Sequence, residues 1–374
     1  MASTPQVPPR FQQGAVATAL QLGPLASLVG TWSGNGFNAI WRPDNPQSQP
    51  IGGQTKRFLE LNLTNDSFEF DVIPGVVPNR GLGPNQTDLS LYGLHYLQRT
   101  SDADLPPFET AGQALHIEPG LFMNVPASIN LNQPTIVRMG TIPHGVTVLM
   151  QGQNPGTKPT DGAPTIPSIF PIAGMPTFKP TTATTNGIGI QPIEVPPPPP
   201  ASQTTSTEHV VPENQSTASD GTTSQSNGPF PANFQDYVND PNIVLRNAIA
   251  GQTIMGFIAI QLSTNGVADS IGNIPFLGFP NPAQPLNPLG DPTIKNSAPN
   301  AFVAQASATF WIEWVKIPNA PVPSTATNPT LQAIEPYWPT PTFLQLQYSQ
   351  VVILVFNGVL WPHVTVATMT LSNG

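Results

Sequence analysis

Alternation of apolar and polar residues with a period of two runs through most of this chain. That pattern restricts the fold to one built from half-buried strands. Lys56 to Leu63 sets Phe58 and a Leu59, Leu61, Leu63 series among Glu60 and Asn62, and Ser67 to Val72 places Phe68, Phe70 and Val72 on one face. Val146 to Met150, Met255 to Leu262, Ala306 to Val315, Phe343 to Phe356 and His363 to Leu371 are further runs rich in β-branched and aromatic residues. Only Gly14 to Leu28, with Ala17, Leu20, Leu25 and Leu28, is spaced like a helix, and Pro24 interrupts it. Many short strands separated by Gly and Pro turns predict an all-β fold, here a single antiparallel β-barrel with inserted loops.

Proline sets the domain organisation. The chain holds 48 prolines in 374 residues, and they are densest from Gln153 to about Asn233, where Pro196 to Pro200 run consecutively. Such a stretch buries too little surface to offset its ordering entropy, and its prolines bar a sheet interior. The expected organisation is residues 1–152 as the first part of a barrel, 153–233 as an insertion, and 234–374 as the rest of the same barrel. A linker between two domains is the alternative. Pro196 to Pro200 reads as a spacer before it reads as a ligand of a polyproline-binding domain.

Composition removes several function classes. Charged residues make up 9% of the chain and the net charge is −9, with no basic run, so nucleic acid is not an expected partner. The absence of cysteine excludes disulfides, thiolate nucleophiles and cysteine-bound metal. Met1 to Gly14 lacks the apolar core of a secretory signal, and no run approaches 18 apolar residues. The expectation is a soluble, cytoplasmic protein with no membrane partner. No Gly-x-Ser-x-Gly elbow is present, Gly187-Ile188-Gly189 lacks a following helix, and Asp102 with Asp104 reads as a solvated acidic turn.

The most distinctive local feature runs from Leu22 to Gly36, where a short apolar segment enters Gly30-Thr31-Trp32-Ser33-Gly34-Asn35-Gly36. Trp32 reads as a plug for one end of a barrel, and Gly34 and Gly36 permit close approach of backbone to a neighbouring strand or a flat ligand. Five histidines supply the candidate metal ligands: His95, His116, His144, His209 and His363. His363 opens an alternating run that puts Thr365, Ala367, Met369 and Leu371 on its face. His116 shares a face with Glu118, as a solvated or structural pair. His95 lies with Leu97 and Arg99, while Tyr96 points the other way. His144 stands in a Pro143-Gly145 turn, and His209 falls in the low-complexity stretch.

These pieces together resemble the nitrobindin-like haem-binding β-barrels, which are related in shape to lipocalins and fatty-acid-binding proteins. The resemblance lies in Leu25 to Gly36, Leu94 to Thr100, His116 to Leu121, Val137 to Gly152, and Trp361 to Ala367, in the order expected and over about half the chain. It implies haem b with His363 as axial ligand, and reversible handling of nitric oxide or related small oxidants at that iron. Trp32, Gly34 and Gly36 would shape the pocket. Arg42 or Arg138 would meet the propionates, since guanidinium suits carboxylates, and His144 would stand at the rim over the open haem face. Arg138 and His144 are about 20 Å apart if extended, and His95 and Arg99 about 13 Å, so neither pair makes a ready distal site for a dedicated peroxidase. A haem-free carrier of a small apolar ligand remains the alternative, with a haem-dependent peroxidase or isomerase as a third reading. The expected partner is a small molecule, namely nitric oxide, a peroxide or an apolar organic compound, and a homodimer is compatible with the sequence.

Overall fold

The alternating runs are joined, in a computed structural model, into one sheet that closes on itself. The structure describes residues 20–43, 57–81, 87–103, 114–128, 133–142, 146–169, 240–264, 302–320, 338–356 and 359–372, with short pieces elsewhere. Ten strands form the barrel: β1 (Gly30–Pro43), β2 (Arg57–Val72), β3 (Leu89–Asp102), β4 (Ala114–Val125), β5 (Thr135–Ile142), β6 (Val146–Gln153), β7 (Ile254–Ser263), β8 (Phe302–Lys316), β9 (Thr342–Phe356) and β10 (Val359–Leu371). Each pairs antiparallel with its neighbours in chain order, and β10 returns to β1, with Leu371 opposite Trp32 and His363 opposite Ile40. The result is an all-β, up-and-down antiparallel barrel that leaves no strand edge among these ten.

Closure fixes which face of each strand is inside. Phe68, Leu94, Phe122, Ile136, Met150, Ile260, Phe310, Tyr348 and Met369 all belong to the interior cluster. Each occupies an inward position in a period-two run, so burial of apolar surface sets the register of the whole meander. The barrel is sealed at one end by a 3-10 helix, Gly23–Leu28, whose Leu25 and Leu28 are fully buried. Residues 20–22 are α-helical and Pro24 stands at the start of the 3-10 helix that follows, so the helical stretch is interrupted at Gly23–Pro24, as the sequence led one to expect. Gly23, at φ 60°, supplies the left-handed turn that leads into it.

A second, smaller apolar cluster lies outside the barrel. Helix α1 (Ile243–Ile249) packs Leu245 against Phe37, Trp311, Val364 and Val366 on the outer faces of β1, β8 and β10. Ile166 joins this cluster, and Thr160–Asp161 pairs with Gly256 and Phe257 of β7. The beginning of the proline-rich stretch is therefore laid on the barrel wall. The stretch from residue 170, with Pro196 to Pro200, lies outside the described residues, as does the side chain of His209.

Two details differ from the expectation. Lys56 to Leu63 and Ser67 to Val72 are not separate strands, because Arg57–Val72 is continuous. Within it Leu63 is 40% exposed while Asn62, Thr64 and Asp66 are buried, so here the polar side chains face inward and the leucine outward. The strand keeps one parity throughout. The inward residue type changes from aromatic at Phe68 and Phe70 to polar from Asp66 back to Asn62.

Candidate functional site

That change of character places a charged group at mid-barrel. Arg138, on β5, is wholly buried, and the five N–H donors of its guanidinium are all committed. Nε donates to Tyr96 Oη at 3.0 Å, Nη1 to Gln350 Oε1 at 2.8 Å and Tyr348 Oη at 3.4 Å, and Nη2 to Glu118 Oε1 at 2.8 Å and Gln98 Oε1 at 3.2 Å. The guanidinium carbon also lies 5.2 to 5.8 Å from the ring centres of Tyr96, Phe122, Phe310 and Tyr348. A cation removed from water needs such a shell of acceptors and ring faces. Arg138 thus spans the interior from β3 and β4 to β9, dividing the Trp32 end from the rest.

Two glycines make room for the shell. A Cβ at Gly140 would stand 2.5 Å from Tyr96 Oη and strike Glu118 Oε1, and one at Gly120 would stand 2.5 Å from Tyr96 Cε1. Gly120 and Gly140 are opposite each other across β4 and β5. Their missing side chains let Glu118 and Tyr96 lie over the sheet within reach of Arg138.

The electrostatics follow from this packing. Burial alone would raise the Glu118 carboxyl, but the Arg138 charge and the His116 and Tyr96 contacts bring it down to about 2, so it is an anion at neutral pH. Burial pushes Tyr348 up to about 12. His116 Nε2 lies 3.4 Å from Glu118 Oε2. On the far side of His116 is Asp66, whose oxygens accept from Thr64 Oγ1 at 2.5 Å and Thr100 Oγ1 at 2.8 Å. Burial pushes Asp66 up to about 6 against those two hydroxyl bonds. Gly36 makes room for this group, since a Cβ there would meet Asp66 Oδ2, Thr64 Oγ1 and the Val366 carbonyl.

The structure sorts the residues singled out by sequence. Trp32 is a plug, with no exposure and its Nε1 donating to the Leu28 carbonyl at 2.6 Å. His363 stands opposite Ile40 and Val352, and its inward parity is shared with Ala367 and Met369 of the interior cluster. Since Trp32 faces Leu371, eight residues from His363, the two are about 26 Å apart along β10. Trp32 and His363 are therefore not brought together. Gly34 packs on the Thr368 carbonyl and the Met369 backbone, and Gly36 on Asp66, so both serve close approach within the protein. Arg138 is nearer to His363: its acceptor Gln350 lies opposite Thr365, one inward step from His363. His144 and the side chain of Arg42 lie outside the described residues.

Other expectations are corrected. Asp102 is the last residue of β3 and 1% exposed, so it is not a solvated turn, while Asp104 lies outside the described residues. Of the solvated and structural readings of the His116–Glu118 pair, the structure shows the structural one, with Arg138 drawing Glu118 into the core. By contrast, His95 and Arg99 do share a face opposite to Tyr96, as expected: His95 lies 3.9 Å from Asp71, and Arg99 pairs with Glu69 on the surface. Among the described residues, no group of three or more His, Asp or Glu side chains is arranged to hold a metal ion.

Asp66, Gln98 and Gln350 were not singled out by sequence. Their signal was a polar residue at an inward position of an alternating run, which carries meaning only once the barrel fixes which face is inside.

The chain matches no family model, no curated protein and no solved structure. The closed ten-strand barrel is compatible with a lipocalin-like or nitrobindin-like fold, and the likeness rests on that architecture. No helix among the described residues is long and apolar enough to cross a membrane.

Proposed function

We propose that the chain is a small-molecule carrier or sensor that holds its ligand inside the barrel, on the His363 side of Arg138. One observation carries this reading: the interior differs on the two sides of Arg138. Towards Trp32 it is aromatic, lined by Phe68, Phe70, Phe122, Phe310 and Tyr348, and the residues named on both sides are buried. On the other side one wall, on β1 to β3, bears Asn38, Thr64, Asp66 and Thr100. The wall across from it, on β8 and β9, bears Val303, Ala306, Val352 and Leu354. A polar wall facing an apolar one suits an amphipathic organic ligand.

A second reading, haem b at His363, draws support from that residue's inward position beside Val352 and from the family resemblance. An imidazole at the edge of an apolar wall is a suitable axial donor. Haem there would supply an iron able to take nitric oxide or a small oxidant. His363 would hold it, while Arg138, with every donor committed, offers the propionates nothing. A cytoplasmic setting belongs to both readings.

Purified protein titrated with Nile red, a neutral amphipathic dye, and separately with hemin tests the two. The carrier reading expects saturable binding of one dye per chain, and a dye that stays dark sinks it. The haem reading expects a sharp Soret band at one haem per chain that His363→Ala removes, and an unchanged spectrum in that variant rejects the assignment.

A further inference from the structure

The donors and acceptors of the polar wall are unequal, and the inequality bears on what the carrier holds. Arg138 is the only buried Lys or Arg among the described residues, and its donors are all used. The hydroxyls of Thr64 and Thr100 are spent on Asp66, and His116 Nε2 faces Glu118. Asp66 retains acceptor capacity, since each carboxylate oxygen takes more than one hydrogen bond.

A separate observation points the same way. Asn38 is 3% exposed, and its Oδ1 is buried without a hydrogen-bond partner. Asn38 shares the inward parity of Trp32 and Gly36, and stands opposite Asn62 of β2 and Thr365 of β10. It is thus one inward step from Gly36, against which Asp66 Oδ2 packs, and its partner Thr365 is one inward step from His363. An acceptor left unpaired inside a protein costs about 1–3 kcal/mol, so a group that donates to it is favoured.

We propose that Asn38 and Asp66 form the head-group subsite of the carrier, and that it takes a cationic amphiphile. The head is a primary amine or another N–H-rich cation, and its apolar part lies along Val352, Leu354 and Ala306. This inference rests on the carrier reading and adds the charge of the ligand. Asp66 is ionised at neutral pH despite its burial, so the subsite presents an anion to the head. A carboxylate head would meet Asp66 and Glu118, and among the described residues no buried cation is free to pair with it, which disfavours fatty acids.

The test is displacement of Nile red by decylamine, decanol and decanoate at pH 7.5, each below its micellar range. Decylamine is expected to displace the dye at least tenfold more tightly than decanol, with decanoate the weakest. Asp66→Asn, which keeps the size of the side chain, and Asn38→Leu are each expected to bring the amine down to the level of the alcohol. Asn38→Asp is expected to widen the preference. Decanoate binding as well as decylamine overturns the proposal, as does an amine preference that survives in both Asp66→Asn and Asn38→Leu. If Nile red binds but the three chains compete equally, the cationic subsite is wrong and the carrier reading stands. If neither the dye nor any chain binds, both fall.

Discussion

Arg138 Nη2 lies 2.8 Å from Glu118 Oε1, and neither side chain reaches solvent. A pair so placed makes the interior sensitive to loss of either member, because the survivor is a charge without a partner. Arg138→Met is expected to cost about 3–5 kcal/mol of unfolding free energy. Adding Glu118→Leu should recover most of that loss, since an apolar pair of similar volume is often as stable as a buried ion pair. Urea unfolding of the two single variants and the double variant measures this. A double variant no more stable than Arg138→Met would show that the pair holds the barrel by more than charge balance.

The pH dependence combines groups of opposite sign. Glu118 has a folded value near 2 against an ordinary 4.5, so its contribution is present above 4.5 and lost as pH falls from there towards 2. Asp66 and Glu313 are raised to about 6 and about 7, so the folded state holds their protons more tightly. Their penalty begins as pH passes about 4 and is complete near 7. Thermal stability is expected to be greatest near pH 4 to 5 and to decline towards neutrality. A melting temperature that rises steadily from pH 5 to 8 would contradict this.

Glu313 isolates one part of that decline. It lies under the loop after α1, accepting from Gln345 Nε2 at 2.7 Å, and its Oε1 has no partner. Glu313→Gln is expected to leave stability little changed at pH 4.5 and to raise it by about 2–3 kcal/mol at pH 8. Equal effects at the two pH values would mean that the carboxylate is not the destabilising species. Chemical unfolding at both pH values decides it.

Gly140 is tested by a single methyl group. Gly140→Ala would press on Tyr96 Oη and Glu118 Oε1, and overpacking of a close core costs about 1–3 kcal/mol. The variant should lose at least that amount and weaken Nile red binding, because the Arg138 shell must shift. Retained stability would show that the shell yields easily.

Trp32→Phe separates the plug from the ligand. It removes the bond to the Leu28 carbonyl and part of a fully buried ring, with an expected loss of about 1–3 kcal/mol. Ligand affinity should stay within twofold, since Trp32 and His363 lie near opposite ends of β10. A tenfold loss would place the ligand at the Trp32 end instead.

What could be read from the sequence was local. Trp32 with its glycines, the inward parity of His363 and the strand character of most runs depend only on neighbours along the chain. The Arg138–Glu118 pair depends on the register of β4 against β5, with Phe122 opposite Arg138, and no local rule supplies that register. The polar interior was hidden for a related reason. Leu59, Leu61 and Leu63 looked like a buried face, but β2 keeps the parity of Phe68 and Phe70, and that parity turns Leu63 to the outside.

The pairing of β1 with β10 also affects synthesis. The Ser372 amide donates to the Thr31 carbonyl, so the barrel is closed by contacts between its first and last strands. On a ribosome, β1 emerges long before its second partner exists. Until β10 appears, the outer edges of β1 and β9 carry open backbone donors and acceptors, and the cluster of Phe37, Leu245 and Trp311 lacks Val364 and Val366. The nascent chain therefore passes through a state suited to pairing with other chains. Its dependence on chaperones should fall sharply once His363 to Leu371 has cleared the exit tunnel.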